Sequence, residues 1–173
     1  MMKRIRQFFH AVFAAVSAED RAFLEENLNR GQQALFFGMS VPDQCHALRT
    51  AQTAISLAGN AEEKVDFPLL TRCALLHDIG RRDGEFSIFW KCFAVLFADL
   101  FPSQAQDYGD GVHGDGVLYR KMRVYYHHAE IGADMLLREG FAAEAEIVRR
   151  HHKAPAEDDP PELRILRMAD EMN

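Results

Sequence analysis

The dipeptide His77-Asp78 sits near the end of an apolar run, Cys73-Ala-Leu-Leu-His-Asp-Ile-Gly80. A neutral imidazole nitrogen and a carboxylate oxygen are both good ligands for a divalent metal. Adjacent residues at a helix end can turn toward one ion once the backbone leaves helical geometry. The pair has company. His46 precedes it, His127-His128 and His151-His152 follow, and Asp170 lies in the last apolar-patterned segment. Six of the eight histidines fall in this ordered series, which scattered surface histidines rarely do. Asp170 follows Leu163 and Leu166 at helical spacing, so it would be a costly core-facing carboxylate unless paired or metal-bound. Divalent metals lower the pKa of bound water and act as Lewis acids, which is the chemistry of metal-assisted hydrolysis at neutral pH.

Helices have to position these residues, because little of the chain alternates with period two. Ser17 and Asp20 resemble a cap before a helix through about Asn29, with Gly31 ending it. Asp43 can cap a helix that carries His46, Leu48, Ala51 and Ile55 and stops at Gly59-Asn60. Asp66, with Pro68 in the first turn, starts the helix that delivers His77 and Asp78 before Gly80. An apolar helix from Phe86 to Phe101 precedes a stop at Pro102. Residues 104–116, rich in Gly-Asp, read as a loop beside the site; their spacing lacks the ligand ladder of an EF-hand. His113 in that loop reads as solvated. Three further helices follow, around His128 to Arg138, Ala143 to His152, and Pro161 to Met172. The expectation is an all-α fold, a single compact bundle of about seven to eight helices. Residues 1–39 would form a helical extension packed on a core of residues 40–173.

At 173 residues the chain can bury a core without disulfides. A net charge of −6 argues against nucleic acid as a partner, though a local basic pocket still suits a small phosphate ester. Cys45, Cys73 and Cys92 have no paired spacing and fit reduced thiols in a cytoplasmic protein. The N-terminus imitates a signal peptide, with Lys3-Arg4-Ile5-Arg6 before an apolar stretch. Ile5, Phe8, Phe9, Val12, Phe13 and Val16 nevertheless share one helical face, and His10 interrupts the stretch. A packed helix is the reading preferred over a cleaved leader or a membrane-surface helix. The 16-residue run from Phe86 is too short and too charged, with Lys91 and Asp99, to span a bilayer.

The order His46, His77-Asp78, Asp170 resembles the H…HD…D signature of the HD superfamily of metal-dependent phosphohydrolases. The flanks extend the resemblance: Cys45-His-Ala-Leu-Arg49, Leu75-Leu-His-Asp-Ile-Gly80 and Arg167-Met-Ala-Asp170. His128-Ala-Glu-Ile-Gly132 and Val148-Arg-Arg-His-His152 look like the extra histidine segments of two-metal branches. Together these segments span roughly residues 40 to 173. The resemblance implies a helical metal-binding core and two divalent ions, with Fe, Mn, Zn, Ni or Co all suited to such a ligand set. It implies that His46, His77, Asp78 and Asp170 hold one ion and that His128 and His151 hold the second. Asp78 would also help hold the bound hydroxide. His127 and His128 point about 100° apart on a helix, so usually one of them faces the site. The match to His-x-x-x-Gly picks His128. His151 and His152 have the same conflict, eased if the helix is ending there, so His152 stands as a second ligand or phosphate contact.

Where many relatives place Lys, three residues after the Asp of the pair, this chain has Arg81. Arginine keeps the charge but not the point-like ammonium, and it would hold a phosphate oxygen or pair with an acid and leave the pocket. Arg49, Arg82, Arg149, Arg150 and Lys153 are further candidates for phosphate contact, with Arg81 and Arg49 nearest the motifs. After His152 the Gly-Tyr-Pro segment of the cyclic-di-GMP-cleaving branch is missing. The expected function is hydrolysis of a small phosphate ester or (di)nucleotide phosphate by metal-activated water. The two-metal set resembles the branch that cleaves diadenosine tetraphosphate. The alternative is a non-catalytic HD-type regulatory or ligand-binding module. Oligomeric state is open.

Overall fold

The computed structural model describes residues 15–81, 88–112 and 116–173. Among these residues there are nine helices and no strand, so the all-α expectation holds with slightly more helices than expected. They are α1 (Ala18–Asn27), α2 (Arg30–Phe37), α3 (Val41–Ala58), α4 (Phe67–Leu76), α5 (Ile88–Leu100), α6 (Pro102–Gly109), α7 (Val117–Arg138), α8 (Ala142–Arg150) and α9 (Pro161–Met172). The helix expected over residues 5–16 lies almost entirely outside the described residues, as do Arg82 and His113. No described helix is long and apolar enough to cross a membrane.

Two differences from the sequence reading have local causes. Gly31 does not stop a helix; it is the second residue of α2. Asn29 ends the preceding segment and caps α2 through a reciprocal pair, in which Gln32 N donates to Asn29 Oδ1 and Asn29 N donates to Gln32 Oε1. Residues 104–109, expected to belong to a loop, are helical, within α6 (Pro102–Gly109). Pro102 ends α5 and also occupies the first turn of α6, where its missing N–H costs nothing. α7 begins eleven residues before His128, at Val117.

Elsewhere the punctuation is as read. Asp66 caps α4 by accepting from Leu69 N at 3.0 Å. Gly140 closes α7 with φ of +86°, a left-handed conformation that side chains resist. Asp43, expected to cap α3, is the exception: Ser40 is the cap residue, and Asp43 lies within the first turn, where it accepts from Ser40 Oγ at 2.6 Å.

α4 is the buried centre. It packs against α3, α8 and α9, while α7 packs on α8 and α6. Leu70, Leu75, Leu76 and Ile79 are fully buried among Leu48, Leu136, Leu163 and Leu166. Leu24, Leu28, Phe36 and Met39 from the N-terminal segment join the same apolar cluster. A second, smaller cluster of Ala94, Ala105, Met122 and Val124 joins α5, α6 and α7. This arrangement brings the ends of α4, α8 and α9 and the middle of α7 together, with His46 from the first turns of α3 facing them.

Candidate metal centre

α4 ends at Leu76, and His77 and Asp78 occupy the tight turn that follows. Both are buried, with exposures of 0% and 1%, so their polar atoms must find partners inside the protein. Gly80 follows, and its backbone touches α7. A Cβ there would overlap the His128 carbonyl oxygen and lie 2.9 Å from the carbonyl carbon and 3.0 Å from Gly132 N. Gly132 returns the approach, its own Cβ position being 3.2 Å from Gly80 N. The glycine of His-x-x-x-Gly therefore lets α7 press onto the turn and carry His128 to Asp78.

The donor atoms form two groups that meet at the His77-Asp78 peptide. In the first, His46 Nε2 is 2.9 Å and His77 Nε2 3.5 Å from Asp170 Oδ1. In the second, His128 Nε2 is 3.3 Å from Asp78 Oδ1 and 2.9 Å from His152 Nε2. His151 belongs to this second group, in which one ligand atom from each of the four residues lies within 4.8 Å of every other. His77 Nε2 and Asp78 Oδ2, at 3.7 Å, link the two. Ligands held about 2.1 Å from one ion, in octahedral or tetrahedral positions, sit about 3.0–3.4 Å from each other. The separations here run from 2.9 to 3.7 Å, on either side of that spacing.

Three histidines are oriented the same way. His77 Nδ1 contacts Ala74 O at 2.9 Å, His128 Nδ1 contacts Tyr125 O at 3.2 Å, and His151 Nδ1 contacts Val148 O at 2.6 Å. Each carbonyl lies three residues earlier on the ring's own helix. A carbonyl only accepts, so each Nδ1 carries the proton and each Nε2 is aimed into the cluster, the usual support for a metal-binding imidazole. His77 Nε2, His151 Nε2 and Asp78 Oδ1 are buried with no hydrogen-bond partner. Three orphaned donor atoms in one place are costly for a structure that gains nothing from them.

The electrostatics favour ligand-ready forms at Asp78, Asp170, His128, His151 and His152, and oppose one at His77. Burial would raise the Asp78 carboxyl, but Arg81 and His77 outweigh it and hold it well below the usual carboxylate range. Burial likewise opposes ionisation of Asp170, and the hydrogen bond with His46 together with the nearby charge of His77 wins. Burial, followed by neighbouring histidines, pushes His151 well down and His152 to about 4; burial and then Arg81 lower His128. His77 alone goes up, to about 9, because Asp78 and Asp170 overcome its burial.

The expected site residues converge as two sets. His46, His77 and Asp170 lie together; Asp78, His128, His151 and His152 lie together. His127 turns away and pairs with Asp110 at 3.0 Å. Arg81 points inward, donating to Asp78 Oδ2 at 2.7 Å and to His128 Nε2 at 3.0 Å. Among the other candidate phosphate contacts, Arg149 pairs with Asp134 and Arg150 with Asp159, so both serve the framework. Lys153 lines a mouth of about 150 Å³ together with His151, His152, Arg167 and Asp170.

Sequence reasoning missed Asp159. This buried carboxylate pairs with both Arg150 and Arg167. Arg167 in turn donates to the carbonyls of Arg150 and His151. The network ties the His151-His152 turn to α9, the helix that carries Asp170. Its neighbour Asp158 is 82% exposed, and nothing in Glu157-Asp-Asp-Pro160 distinguishes the two acids. Compared with family models, curated proteins and solved structures, this chain finds no match.

Proposed function

We propose that this chain is a metal-dependent phosphohydrolase of the HD type, acting on a small phosphate ester or nucleotide phosphate in the cytoplasm. The observation that carries the reading is the orphaned set: His77 Nε2 in one donor group, His151 Nε2 and Asp78 Oδ1 in the other, all buried and without a hydrogen-bond partner. Exposed polar clusters are common, but buried ones without partners are rare unless an ion or a reaction uses them. The donor set, five imidazoles and two carboxylates, suits Mn, Fe, Zn, Ni or Co. His46, His77 and Asp170 would hold one ion. Asp78, His128, His151 and His152 would hold a second. Ions bound there supply Lewis acidity and lower the pKa of water.

The chain's own residues do the rest. Asp78 lies between the groups and is held ionised, so its oxygens are free to act as ligands and as hydrogen-bond acceptors. His151 and His152 stay neutral at physiological pH and keep their lone pairs. The mouth of about 150 Å³, with Lys153 at its rim, offers an anionic group one cationic contact on entry. Cys73 takes no part: it is fully buried, and burial pushes its thiol pKa well up, which leaves no thiolate nucleophile.

The test is hydrolysis of a chromogenic phosphodiester with added manganese. Activity should vanish on chelation, return with metal, and fall about a hundredfold or more in Asp78→Ala, which removes a shared ligand. Metal binding without turnover of any phosphate ester would instead identify a regulatory module. Activity that survives chelator and Asp78→Ala but dies on thiol alkylation would overturn the mechanism.

A further inference from the structure

Arg81 stands where the second ion would have to bind. Its guanidinium donates through one nitrogen to Asp78 Oδ2 at 2.7 Å and through the other to His128 Nε2 at 3.0 Å. Both groups belong to the second donor set, and the bond to His128 uses the lone pair that a metal needs. The fork is held from behind. His128 Nδ1 is committed to Tyr125 O, and the Gly80–α7 contact fixes the turn on which Arg81 sits. Guanidinium geometry matters here, because two rigid N–H groups can bridge a carboxylate and an imidazole where a single ammonium cannot hold the same span. The first donor set differs. Among the described residues, the ion pairs of His46, His77 and Asp170 are with one another and with Asp78, and no arginine or lysine enters them.

We propose that Arg81 is a built-in competitor for the second metal position, so the chain holds one divalent ion firmly and admits a second only when Arg81 swings out. The side chain is 24% exposed, which gives the guanidinium a path toward solvent. The proposal rests on the metal-centre reading above and deepens it. It turns the replacement of the family lysine by Arg81 into a difference in ion stoichiometry. A competitor that occupies the position nine-tenths of the time weakens the second ion's apparent affinity about tenfold.

The experiment uses the full chain, stripped by chelator and titrated with manganese by calorimetry, with electron paramagnetic resonance reporting spin-coupled ion pairs. The wild type should bind one ion at least about tenfold tighter than the second. Arg81→Ala should tighten the second ion about tenfold or more while leaving the first within about threefold, and the coupled-pair signal should appear at lower manganese. Arg81→Lys keeps the charge but loses the fork, so it should tighten the second ion to a smaller degree. That variant separates competition from simple repulsion, which would change both ions in parallel and leave Arg81→Lys like the wild type. Parallel tightening, an unchanged second ion in Arg81→Ala, or two equally tight ions in the wild type would each overturn the inference alone. If no variant binds any ion, the metal-centre reading falls with it. A first ion that is lost in His46→Ala shows that the reading stands on its own.

Discussion

Replacing Gly80 by Ala tests how the fold builds the centre, because it adds one methyl group at the point where two backbones touch. Gly80 has no positive φ, so alanine's backbone preference is not the issue. Space is. The new Cβ would overlap the His128 carbonyl oxygen, and it would sit 2.9 Å from the carbonyl carbon and 3.0 Å from Gly132 N, against the 3.4 Å at which ordinary contact begins. All three atoms are backbone, so no rotamer change relieves the clash, and α7 must retreat by about 1 Å. Overpacking of this kind costs about 1–3 kcal/mol, sometimes more. For a chain of this length, that lowers Tm by about 3–10 °C. The retreat also carries His128 away from Asp78, whose 3.3 Å separation sets one edge of the second donor group. Displacements near 1 Å at a catalytic centre can cost about a hundredfold in rate. Differential scanning fluorimetry and manganese titration should therefore both respond, with the second ion losing more affinity than the first. Gly132→Ala, whose tightest new contacts are 3.2 Å, should show the same pattern more weakly. Gly59→Ala meets nothing closer than 3.6 Å in ordinary helical backbone and should leave Tm unchanged or slightly raised. A Gly80→Ala protein with wild-type Tm and ion affinities would refute the claim that this backbone contact positions His128.

His77 gives a pH signature in ion-free protein. Its pKa of about 9 lies above the ordinary 6.5, so the stability it adds is complete below pH 6.5 and is lost as pH climbs through about 9. Ion-free wild type should lose Tm over that range relative to ion-loaded protein, whose His77 is already deprotonated; parallel Tm curves would count against it. Asp159→Asn keeps the shape but removes the charge that holds Arg150 and Arg167, so Tm should fall and chelator should strip ions faster. Stripping at the wild-type rate would mean that the clamp does not reach His151-His152.

The helices were legible in the sequence wherever apolar period and capping chemistry agreed, as at Asp66 and Gly140. They were misread where one residue serves two elements. Pro102 closes α5 and opens α6, and a rule that treats proline as a stop sees half of that. The donor inventory was legible because residue type alone suggests it; orientation was not. The Nδ1 contacts to Ala74, Tyr125 and Val148 are made to carbonyls, which every residue has, so no side-chain pattern announces them.

The doublets show where the limit lies. His127-His128 sits in mid-helix, and the 100° step separates the pair as helical geometry requires, one toward Asp78 and the other toward Asp110. His151-His152 escapes that constraint because α8 ends at Arg150, so both rings reach the second donor group. Asp158-Asp159 lies in a turn with no periodicity, and the choice there is made from outside by Arg150 and Arg167, which draw one carboxylate inward. A periodic element lets sequence decide which member of a pair faces inward. A turn hands that decision to its neighbours, and here the decision fixes how the His151-His152 ligands are held against the helix of Asp170.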